Sequence, residues 1–286
     1  MRLAIITVNY NNAEKTINFL RSVSQNSDVI RIVVDNASQA DDRAALRIHI
    51  EQHDSSAILV ESETNLGFSG GNNLGIQTAE KYEPEWYVFL NNDTVASEGF
   101  LDGLLQELKN KEGVVGIPLR EGDKTAYAGR VEWLKPTLRH YYQPDLEENF
   151  YIIGGGVAVH KNVFHEIGYW DDRFFLYFED VDLSLRAKEA GFPLNVLKNI
   201  SLAHASQSTT KELGVSILLR YHFRNTLLFN ALHAPWPVKL ILPFWSIWTI
   251  LKQLVKLVIM PQRRGIAMAI MAGVFDFYIG KFGKIL

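Results

Sequence analysis

The sequence predicts an α/β fold built on a mainly parallel central sheet and followed by a helical C-terminal extension. In the first 120 residues, apolar runs of strand length alternate with segments whose apolar residues recur at helical spacing. Residues 125–159 are predicted to form shorter, irregular strands rich in aromatic side chains. From residue 211 onward the pattern predicts helix. We therefore expect a body over residues 1–210 and a helical extension over residues 211–286.

The elements of the body follow one another in regular order. The predicted strands cover residues 3–8, 30–34, 57–60, 86–90 and 114–117, and the predicted helices between them cover residues 13–25, 41–53, 71–81 and 98–109. Strands that alternate with helices form βαβ units, in which helices cover both faces of a parallel sheet. A further helix is predicted over residues 180–190, because Gly191 and Pro193 are typical of a helix end. Two short strands, residues 193–197 and 200–205, complete the body.

The composition excludes several classes of protein. The chain has 286 residues, of which 47% are hydrophobic, so it can bury a sizeable core and is not disordered as a whole. It has no cysteine, which excludes a disulfide scaffold, cysteine-ligated zinc, an iron–sulfur cluster and a cysteine nucleophile. The apolar stretch at the N-terminus is too short for a signal peptide, so we interpret it as the first strand and expect a cytoplasmic protein.

The charge is distributed unevenly along the chain. Residues 211–286 carry ten Lys and Arg against two acids, a net charge of +8, so the first 210 residues carry −11 of the total of −3. Apolar and aromatic residues dominate between the basic ones, which favours a membrane surface over nucleic acid as the partner. The longest charge-free run inside the second predicted helix there has 12 residues, and the run over residues 265–275 has 11, whereas a spanning helix needs about 20. We expect helices lying at the inner face of the cell membrane; packing on the body or on a second subunit, as in a homodimer, stays open.

Polar segments follow the predicted strands at the edge where sheets of this kind bind ligands. Asp35 opens the first of them and could accept hydrogen bonds from a ribose or a base, although alone it equally indicates a turn. A glycine-rich segment, residues 65–75, holds four glycines in nine positions. A helix that begins at Gly71 would offer free N–H groups to a phosphate, but a glycine-rich turn before a helix is the alternative. The segment matches neither the Walker loop nor the dinucleotide-binding fingerprint.

Two further segments could hold a metal ion and a substrate. Asp93 follows the strand over residues 86–90, and one carboxylate there suits Mg²⁺ or Mn²⁺ shared with a diphosphate, although a turn is the alternative. His204 ends the last short strand and could complete such a site. Residues 154–156 are three glycines, which place bare backbone against a substrate or against a tightly packed neighbour.

Residues 174–186 combine an aromatic run with three carboxylates. Asp182 and Arg186 are four residues apart and are expected to pair on the helix surface. Glu179 and Asp180 are neighbouring acids beside apolar residues, and both desolvation and a neighbouring charge raise a carboxyl pKa into the range of a general base. Further along, Arg220 and Arg224 are one helical turn apart and could face a diphosphate or form an exposed basic face.

Taken in order, these motifs resemble the family 2 glycosyltransferases of the GT-A fold, in their rhamnosyltransferase-like branch. The resemblance covers residues 1–230 and is carried by residues 7–11, 33–38, 65–75, 90–93, 154–156 and 177–183. It implies a Rossmann-like sheet, a nucleotide diphospho-sugar donor linked through dTDP, UDP or GDP, and Mg²⁺ or Mn²⁺ as cofactor. It also implies a glycan or lipid-linked acceptor in cell-surface polysaccharide synthesis.

The resemblance also implies a role for individual residues. Asp180 is similar to the catalytic base of an inverting enzyme that transfers one sugar at a time, rhamnose being one candidate, and Glu179 is the reserve choice. Asp93 is similar to the last residue of the family's Asp-x-Asp motif, whose first position is here Asn91, and His204 joins it as a metal ligand. The residues implied at the donor are Thr7, Asn9, Tyr10, Asn11, Asp35, Asn36, Asn65, Gly67, Phe68, Gly71, Asn72, Asn91, Asn92 and Arg224, and those at the acceptor are Gly155, Gly156 and Tyr177.

Two other functions stay open on the sequence. A nucleotidyltransferase also uses a doubly wound sheet, a glycine-rich loop and a metal on an acid, but it usually has Lys or Arg in that loop, and residues 65–75 have neither. A non-catalytic protein that binds sugar nucleotides or acts as a membrane scaffold would keep the glycine-rich segment without a usable base. The pair Glu179–Asp180 argues against this interpretation, because it offers a candidate base.

Overall fold

The computed structural model describes residues 1–23, 25–204 and 214–285. The predicted boundary at residues 210 and 211 therefore lies outside the described residues, as do Ala205 of the last predicted strand and Lys211 at the start of the next helix. The strands, numbered in chain order, are β1 (Leu3–Asn9), β2 (Val29–Asp35), β3 (Ala57–Glu61), β4 (Trp86–Leu90), β5 (Thr94–Val95), β6 (Val114–Gly116), β7 (Leu119–Glu121), β8 (Lys124–Ala126), β9 (Ala128–Arg130), β10 (Arg139–Tyr141), β11 (Phe150–Tyr151), β12 (Gly156–His160), β13 (Leu194–Val196) and β14 (Leu202–His204). The helices are α1 (Ala13–Ser22), α2 (Ala40–His53), α3 (Gly67–Glu80), α4 (Phe100–Leu108), α5 (Lys161–Ile167), α6 (Glu179–Glu189), α7 (Val215–His233), α8 (Trp236–Ile259) and α9 (Arg264–Tyr278).

The central sheet has seven strands in the order β13-β6-β12-β4-β1-β2-β3. Strand β12 runs antiparallel to both of its neighbours, and the other pairs are parallel. The predicted α/β fold with a mainly parallel sheet is confirmed. In the register of the sheet, Asn9 lies opposite Asp35 and Gly156 lies opposite Leu90. The ends of β1, β2 and β4 therefore meet the beginning of β12 at one edge.

Helices cover both faces of this sheet. On β1, Leu3 and Ile5 pack into an apolar cluster with residues of α1 and α4, whereas Ala4 and Ile6 pack on the opposite face with residues of α3, α5 and α6. A strand buried on both faces needs apolar residues at every position. That requirement explains why the strands of the body read as continuous apolar runs.

A second sheet, in the order β5-β14-β7-β8, lies beside the edge where β4 ends. Strand β14 pairs antiparallel with β5, so that His204 is opposite Thr94. This pairing places His204 next to the segment that follows β4, although more than 100 residues separate them along the chain. A third, three-stranded sheet has the order β10-β9-β11.

Helix α3 begins four residues earlier than predicted, at Gly67 rather than Gly71. A Cβ atom on Gly75 would overlap the side chain of Ile6, and a Cβ on Gly71 would lie 3.1 Å from Val8 Cγ1. Both glycines therefore let α3 pack closely on β1. Most of the glycine-rich segment is therefore helix, and two of its four glycines serve helix–strand packing. Its contact with the donor stays a prediction.

We expect Gly75→Ala to destabilise the protein by about 1–3 kcal/mol, because the added methyl group overpacks the contact between α3 and Ile6. Chemical denaturation measures this change. Gly265→Ala is the matched control, since outside its own helix the one atom of the described residues within 4 Å of a Cβ there would be the Ser216 hydroxyl, at 3.8 Å. A stability of Gly75→Ala equal to that of the wild type would contradict the packing role.

The C-terminal helices differ in how they are buried. Helix α7 contributes Leu228 and Phe229 to an apolar cluster with Phe174 and Phe178 of the body. Helix α8, in contrast, exposes many large apolar side chains. Among the described residues, α8 is the one helix long and apolar enough to cross a membrane, a criterion of length and composition alone.

Candidate active site

A buried network of side-chain hydrogen bonds joins the ends of three strands. The Asn9 Nδ2 group donates to Asp35 Oδ2 and to Asp42 Oδ2, each at 2.9 Å. The Thr16 hydroxyl donates to Asn9 Oδ1 at 2.7 Å and accepts from Asn92 Nδ2 at 2.9 Å. The ends of β1, β2 and β4 are therefore held in one polar cluster, which contains three of the predicted donor-binding residues: Asn9, Asp35 and Asn92.

Asp35 is fully buried at the end of β2. Its Oδ1 accepts from the Ser38 backbone N–H at 3.1 Å and from Arg43 Nε at 3.2 Å, while Oδ2 accepts from Asn9. The Arg43 side chain is 31% exposed, which makes it the partner that a ligand could most easily displace. Asp35 is therefore held in a fixed orientation, and access to it passes by Arg43.

The predicted donor-binding amides at residues 36, 65 and 72 bond to the glycine-rich segment itself. Asn36 Nδ2 donates to the Gly67 carbonyl at 3.0 Å and to Asn65 Oδ1 at 3.2 Å. Asn72 Nδ2 donates to the Phe68 carbonyl at 3.0 Å. These amides shape the turn into α3. The Phe68 ring packs edge-on against Trp170 at 5.5 Å between centroids, and a Cβ on Gly154 would lie 3.4 Å from it.

The residues predicted to bind the metal are close together. Asp93 Oδ1 lies 3.3 Å from His204 Nε2, and His204 Nδ1 lies 3.2 Å from Glu121 Oε1. The carboxylate of Asp93, followed by that of Glu121, raises the pKa of His204 above its usual value. Within the described part of the chain, Asp93 Oδ1 and His204 Nδ1 are buried polar atoms that make no well-aligned hydrogen bond.

This pair fits a divalent ion held jointly with a diphosphate. A carboxylate oxygen with an imidazole nitrogen suits Mn²⁺, and Mg²⁺ is often held by one or two carboxylates together with substrate phosphates. No cluster of three or more His, Asp or Glu with metal-binding geometry occurs among the residues that the structure covers. The remaining ligands would therefore come from the diphosphate and from water.

The acids at the start of α6 have contrasting surroundings. Asp180 Oδ2 accepts from the Gly154 N–H at 3.1 Å, and Oδ1 accepts from the Val181 N–H at 2.9 Å. Burial raises the pKa of Asp180 to about 6, against the opposing effect of these hydrogen bonds. Burial, and secondly repulsion by Asp180, raises the pKa of Glu179 well above its usual value. Burial therefore favours the protonated form of both acids, and the hydrogen bonds from Gly154 and Val181 favour the ionised form of Asp180, which is the form that accepts a proton.

Asp182 has a structural role. It is 1% exposed, and its carboxylate accepts from Arg186 Nε at 2.8 Å and lies 2.7 Å from His233 Nε2. The predicted pair with Arg186 is present, but it is buried and includes a third residue from α7. Asp182 therefore ties α6 to the C-terminal helices and does not face the strand ends.

The three glycines at residues 154–156 are buried against protein atoms. A Cβ on Gly154 would lie 3.1 Å from Asp180 Cβ, and one on Gly155 would lie 2.8 Å from Asn91 Nδ2. The Asn91 N–H also donates to the Gly155 carbonyl at 3.0 Å. This segment therefore brings Asp180 to the same edge as Asn91. The prediction placed Gly156 at the acceptor. In the structure Gly156 packs against protein, because a Cβ there would clash with the Ile117 carbonyl oxygen at 2.6 Å.

Arg224 does not lie where the prediction placed it. Its side chain is fully buried, and its guanidinium donates to the carbonyl oxygens of Arg173, Phe174 and Gly283. Burial lowers its pKa to about 10. Arg220 pairs with Asp276, with Nε 2.6 Å from Oδ2. Neither cation is directed at a diphosphate, because each is already bonded to the C-terminal segment or to the loop before α6.

The remaining predicted residues are Tyr177 in the loop before α6 and Thr7, Tyr10 and Asn11 at the end of β1. Tyr177 is half-buried, and its ring stacks on His222 at 4.1 Å between centroids. Thr7 is buried in β1, and its hydroxyl has no hydrogen-bond partner among the described residues. Asn11 Oδ1 accepts from the Gln39 N–H at 2.7 Å, and Tyr10 beside it is half-buried.

Three residues of this region were not predicted from the sequence. Thr16 is the centre of the strand-end network, Glu121 contacts His204, and Asn225 bonds to three carbonyl oxygens of the loop before α6. Asn225 follows Arg224 directly, so the resemblance pointed to its neighbourhood. For Thr16 and Glu121, no signal in the sequence distinguishes them from ordinary helix and strand residues.

Comparisons with known proteins agree with this architecture. The model of the family described as "Glycosyl transferase family 2" matches residues 4–168. The chain is 25% identical over 241 residues to the low-salt glycan biosynthesis hexosyltransferase Agl10 of Haloferax volcanii, covering 79% of this chain and 74% of that one. It is 24% identical over 269 residues to the N-acetylglucosaminyl-diphospho-decaprenol L-rhamnosyltransferase of Mycobacterium tuberculosis, covering 82% of this chain and 86% of that one.

Among solved structures, the fold is similar to that of the mannosyltransferase PcManGT from Pyrobaculum calidifontis in complex with GDP-Man and Mn²⁺. The TM-score is 0.56 at 16% identity, and the match covers 98% of this chain and 88% of the other. At that identity the likeness establishes the fold alone. Since the family model spans more than half of the sequence, the chain belongs to glycosyl transferase family 2 and has the GT-A fold.

Proposed function

We propose that this protein is an inverting enzyme that transfers one sugar from a nucleotide diphospho-sugar to a hydroxyl group of a glycan or lipid-linked glycan. The position of Asp180 carries the proposal: its carboxylate, with a pKa raised by burial to about 6, lies against Gly154 next to Asn91. Rhamnose is one candidate sugar, because a relative is named as a rhamnosyltransferase acting on a diphospho-decaprenol-linked acceptor. The nucleotide, dTDP, UDP or GDP, would contact Asp35 and its neighbours at the ends of β1 and β2.

The proposed chemistry is a single displacement. Asp180 accepts the proton of the acceptor hydroxyl, whose oxygen forms a bond to the anomeric carbon. The bond from that carbon to the diphosphate oxygen breaks, and the diphosphate leaves with the electron pair, so the configuration inverts. Asp93 and His204 would hold Mg²⁺ or Mn²⁺, which when bound supplies charge stabilisation for the leaving diphosphate.

The test is a donor panel with a defined acceptor. Purified protein with Mn²⁺ is incubated with dTDP-, UDP- and GDP-linked sugars and a short polyprenyl-diphosphate-linked N-acetylglucosamine, and mass spectrometry detects the product. NMR coupling at the new anomeric centre gives its configuration. We expect one donor to yield a product of inverted configuration. A retained configuration, or donor binding without transfer to this or any other glycan acceptor, would overturn the proposal.

The pH dependence of the reaction follows from the base. Asp180 must be deprotonated to accept a proton, and its pKa is raised to about 6. We therefore expect kcat/KM to be constant above that pH and to fall about tenfold per pH unit below it. A rate profile measured between pH 4.5 and 8 at constant ionic strength tests this expectation. An acid limb centred near pH 4 would indicate a base with an unshifted carboxyl pKa.

The membrane surface is the partner that we propose for α8. The helix buries Ser246, Thr249 and Gln253 but exposes Phe244 and Trp248 by 72% and 60%. A helix that hides polar residues and exposes apolar ones is suited to an apolar medium on its outer side. Basic residues accompany this face and favour anionic headgroups: Lys239, Lys252, Lys256, Arg263 and Arg264. An α8 lying in the plane of the cytoplasmic membrane surface would place the enzyme beside a lipid-linked acceptor.

We expect the triple variant Phe244→Gln, Trp248→Gln, Val258→Gln to bind anionic vesicles at least about 100-fold more weakly, since each buried apolar side chain contributes about 1.5–3 kcal/mol. Vesicle co-sedimentation measures the change. The control is Ile48→Gln with Tyr142→Gln, which removes exposed apolar side chains from the body. Unchanged vesicle binding, or the loss of a dimer that light scattering detects in the wild type, would show that α8 contacts protein.

A further inference from the structure

The loop that precedes the acids of α6 has an unusual backbone. Phe175, Tyr177 and Phe178 have φ angles of 62°, 69° and 76°. This left-handed region is unfavourable for bulky side chains, and such residues persist only where the surrounding structure holds them. Phe178 is also the residue from which α6 begins, directly before Glu179 and Asp180. The conformation of this loop therefore determines the position of the first turn of α6, and with it the position of Asp180.

Two neighbouring residues of α7 hold the loop by its carbonyl groups. Asn225 Nδ2 lies 2.9 Å from each of the carbonyl oxygens of Phe174, Leu176 and Tyr177. Arg224 Nη2 donates to the carbonyl oxygens of Arg173 and Phe174 at 3.2 and 3.1 Å. Both side chains are 0% exposed. We call Arg224 and Asn225, with these five contacts, the loop clamp.

The loop clamp is supported from the C-terminal segment. Arg224 Nη1 donates to the Gly283 carbonyl at 2.7 Å, and the Gly283 N–H donates to the Arg173 carbonyl at 2.9 Å. The Phe175 ring stacks on Tyr221 at 5.4 Å between centroids, and the Tyr221 hydroxyl accepts from the Ile285 N–H at 2.7 Å. The end of the chain is therefore part of the structure that holds the loop.

On its other side the loop contacts the strand-end site. The Phe175 carbonyl accepts from the Phe68 N–H at 2.7 Å, which ties the loop to the first turn of α3. Tyr177 is the last residue whose carbonyl the loop clamp holds. Asp180 lies three residues later, in the first turn of α6, where its carboxylate bonds to Gly154. A loop that relaxed to ordinary φ angles would change the entry into α6 and move the carboxylate of Asp180.

We propose that Arg224 and Asn225 are positioning residues, whose hydrogen bonds hold residues 173–178 in their strained conformation and thereby place the Asp180 carboxylate against Gly154. This inference rests on the proposed role of Asp180 as the base. It assigns to the buried arginine a task different from contact with the diphosphate, and it makes the C-terminal helices part of the catalytic arrangement.

The test compares two buried asparagines of the same helix. Asn225→Ala removes three contacts to the loop, whereas Asn230→Ala removes contacts to Leu134 and Thr226, away from it. We expect Asn225→Ala to lower kcat by about 100-fold with the donor KM within about threefold, since a misplacement of about 1 Å costs that much. Asn230→Ala lowers the melting temperature comparably and keeps kcat within about threefold of the wild type. Equal losses of kcat in the two variants, or a normal kcat in Asn225→Ala, would overturn the proposal.

Hydrogen exchange without substrate separates this inference from the proposed function. We expect the amides of residues 173–178 to exchange faster in Asn225→Ala and in Arg224→Gln than in Asn230→Ala. Unchanged exchange would refute the loop clamp even in an active enzyme. If the wild type transferred no sugar while exchange followed the expected pattern, the proposed function would fail and the clamp itself would stand as a structural device.

Discussion

Asp180→Asn is expected to lower kcat by at least about 1,000-fold, because removal of a general base removes a contribution of this order. The dissociation constant of the nucleoside diphosphate should stay unchanged, since Asp180 bonds to Gly154, whereas the proposed nucleotide contact Asp35 belongs to the hydrogen-bond network at the ends of β1 and β2. Kinetics with the preferred donor, together with calorimetric titration of the nucleotide, separate the two effects. A variant that kept more than about a tenth of the wild-type rate would remove Asp180 from the mechanism.

Glu179→Gln distinguishes the two neighbouring acids. Burial raises the pKa of Glu179 well above its usual value, which favours the protonated form that glutamine resembles. We expect this variant to keep kcat within about tenfold of the wild type. If Glu179→Gln is inactive while Asp180→Asn is active, the base is Glu179.

Asp180 and Asp182 should affect stability in opposite directions. The raised pKa of Asp180 means that its ionised form opposes folding, an effect absent below the unfolded pKa and complete once the pH has risen through about 6. Asp180→Asn should therefore raise the melting temperature at pH 7.5. Asp182→Asn should lower it, because Arg186 and His233 would lose a buried carboxylate partner.

Asp93→Asn has the second largest expected effect. The proposed metal site has one carboxylate, that of Asp93, beside the imidazole of His204, so the loss of the carboxylate charge would remove the stronger of the two proposed ligands. We expect Mn²⁺ binding in the presence of nucleoside diphosphate to weaken at least about tenfold, and kcat/KM to fall about 100-fold. Free Mn²⁺ is measured by electron paramagnetic resonance.

Two further variants sharpen this test. Glu121→Gln should weaken Mn²⁺ binding less than Asp93→Asn does, because Glu121 contacts Nδ1 of His204 and acts only through its orientation. Asp172→Asn, whose carboxylate accepts from Asn73 Nδ2 at 2.7 Å, is the matched control without an effect on the metal. Unchanged Mn²⁺ binding and rate in Asp93→Asn would place the metal elsewhere or exclude its need.

The body of the fold was predictable because its strands are buried on both faces. Continuous apolar runs such as that of β4 (Trp86–Leu90) leave little ambiguity between strand and loop, and the polar segments that follow them lie at one edge of any parallel sheet. The approach of His204 to Asp93 was expected only as a candidate. It depends on the pairing of β14 with β5, and no local pattern encodes that pairing.

The structure differs from the predicted boundaries and contacts where one residue type serves two purposes. Glycines such as Gly71 and Gly75 suit a phosphate-binding turn and a close helix–strand contact equally well, and the structure shows the contact, with Val8 and Ile6. Arg224 was assigned to a diphosphate because it lies one helical turn from Arg220 and because the family resemblance implies a donor contact there. In the structure its hydrogen-bond acceptors are backbone carbonyl oxygens about 50 residues away in the chain. Every residue has such a carbonyl group, so the sequence does not indicate which of them Arg224 contacts.

The central claim is that the protein breaks the bond between a sugar and the diphosphate of its nucleotide carrier. Phosphorus NMR of the wild-type enzyme with Mn²⁺, acceptor and the donor panel observes that bond directly. The predicted result is the accumulation of one nucleoside diphosphate, with little or none in Asp180→Asn. Accumulation of pyrophosphate would instead reveal nucleotidyl transfer, and an unchanged spectrum for every donor and acceptor would contradict sugar transfer altogether.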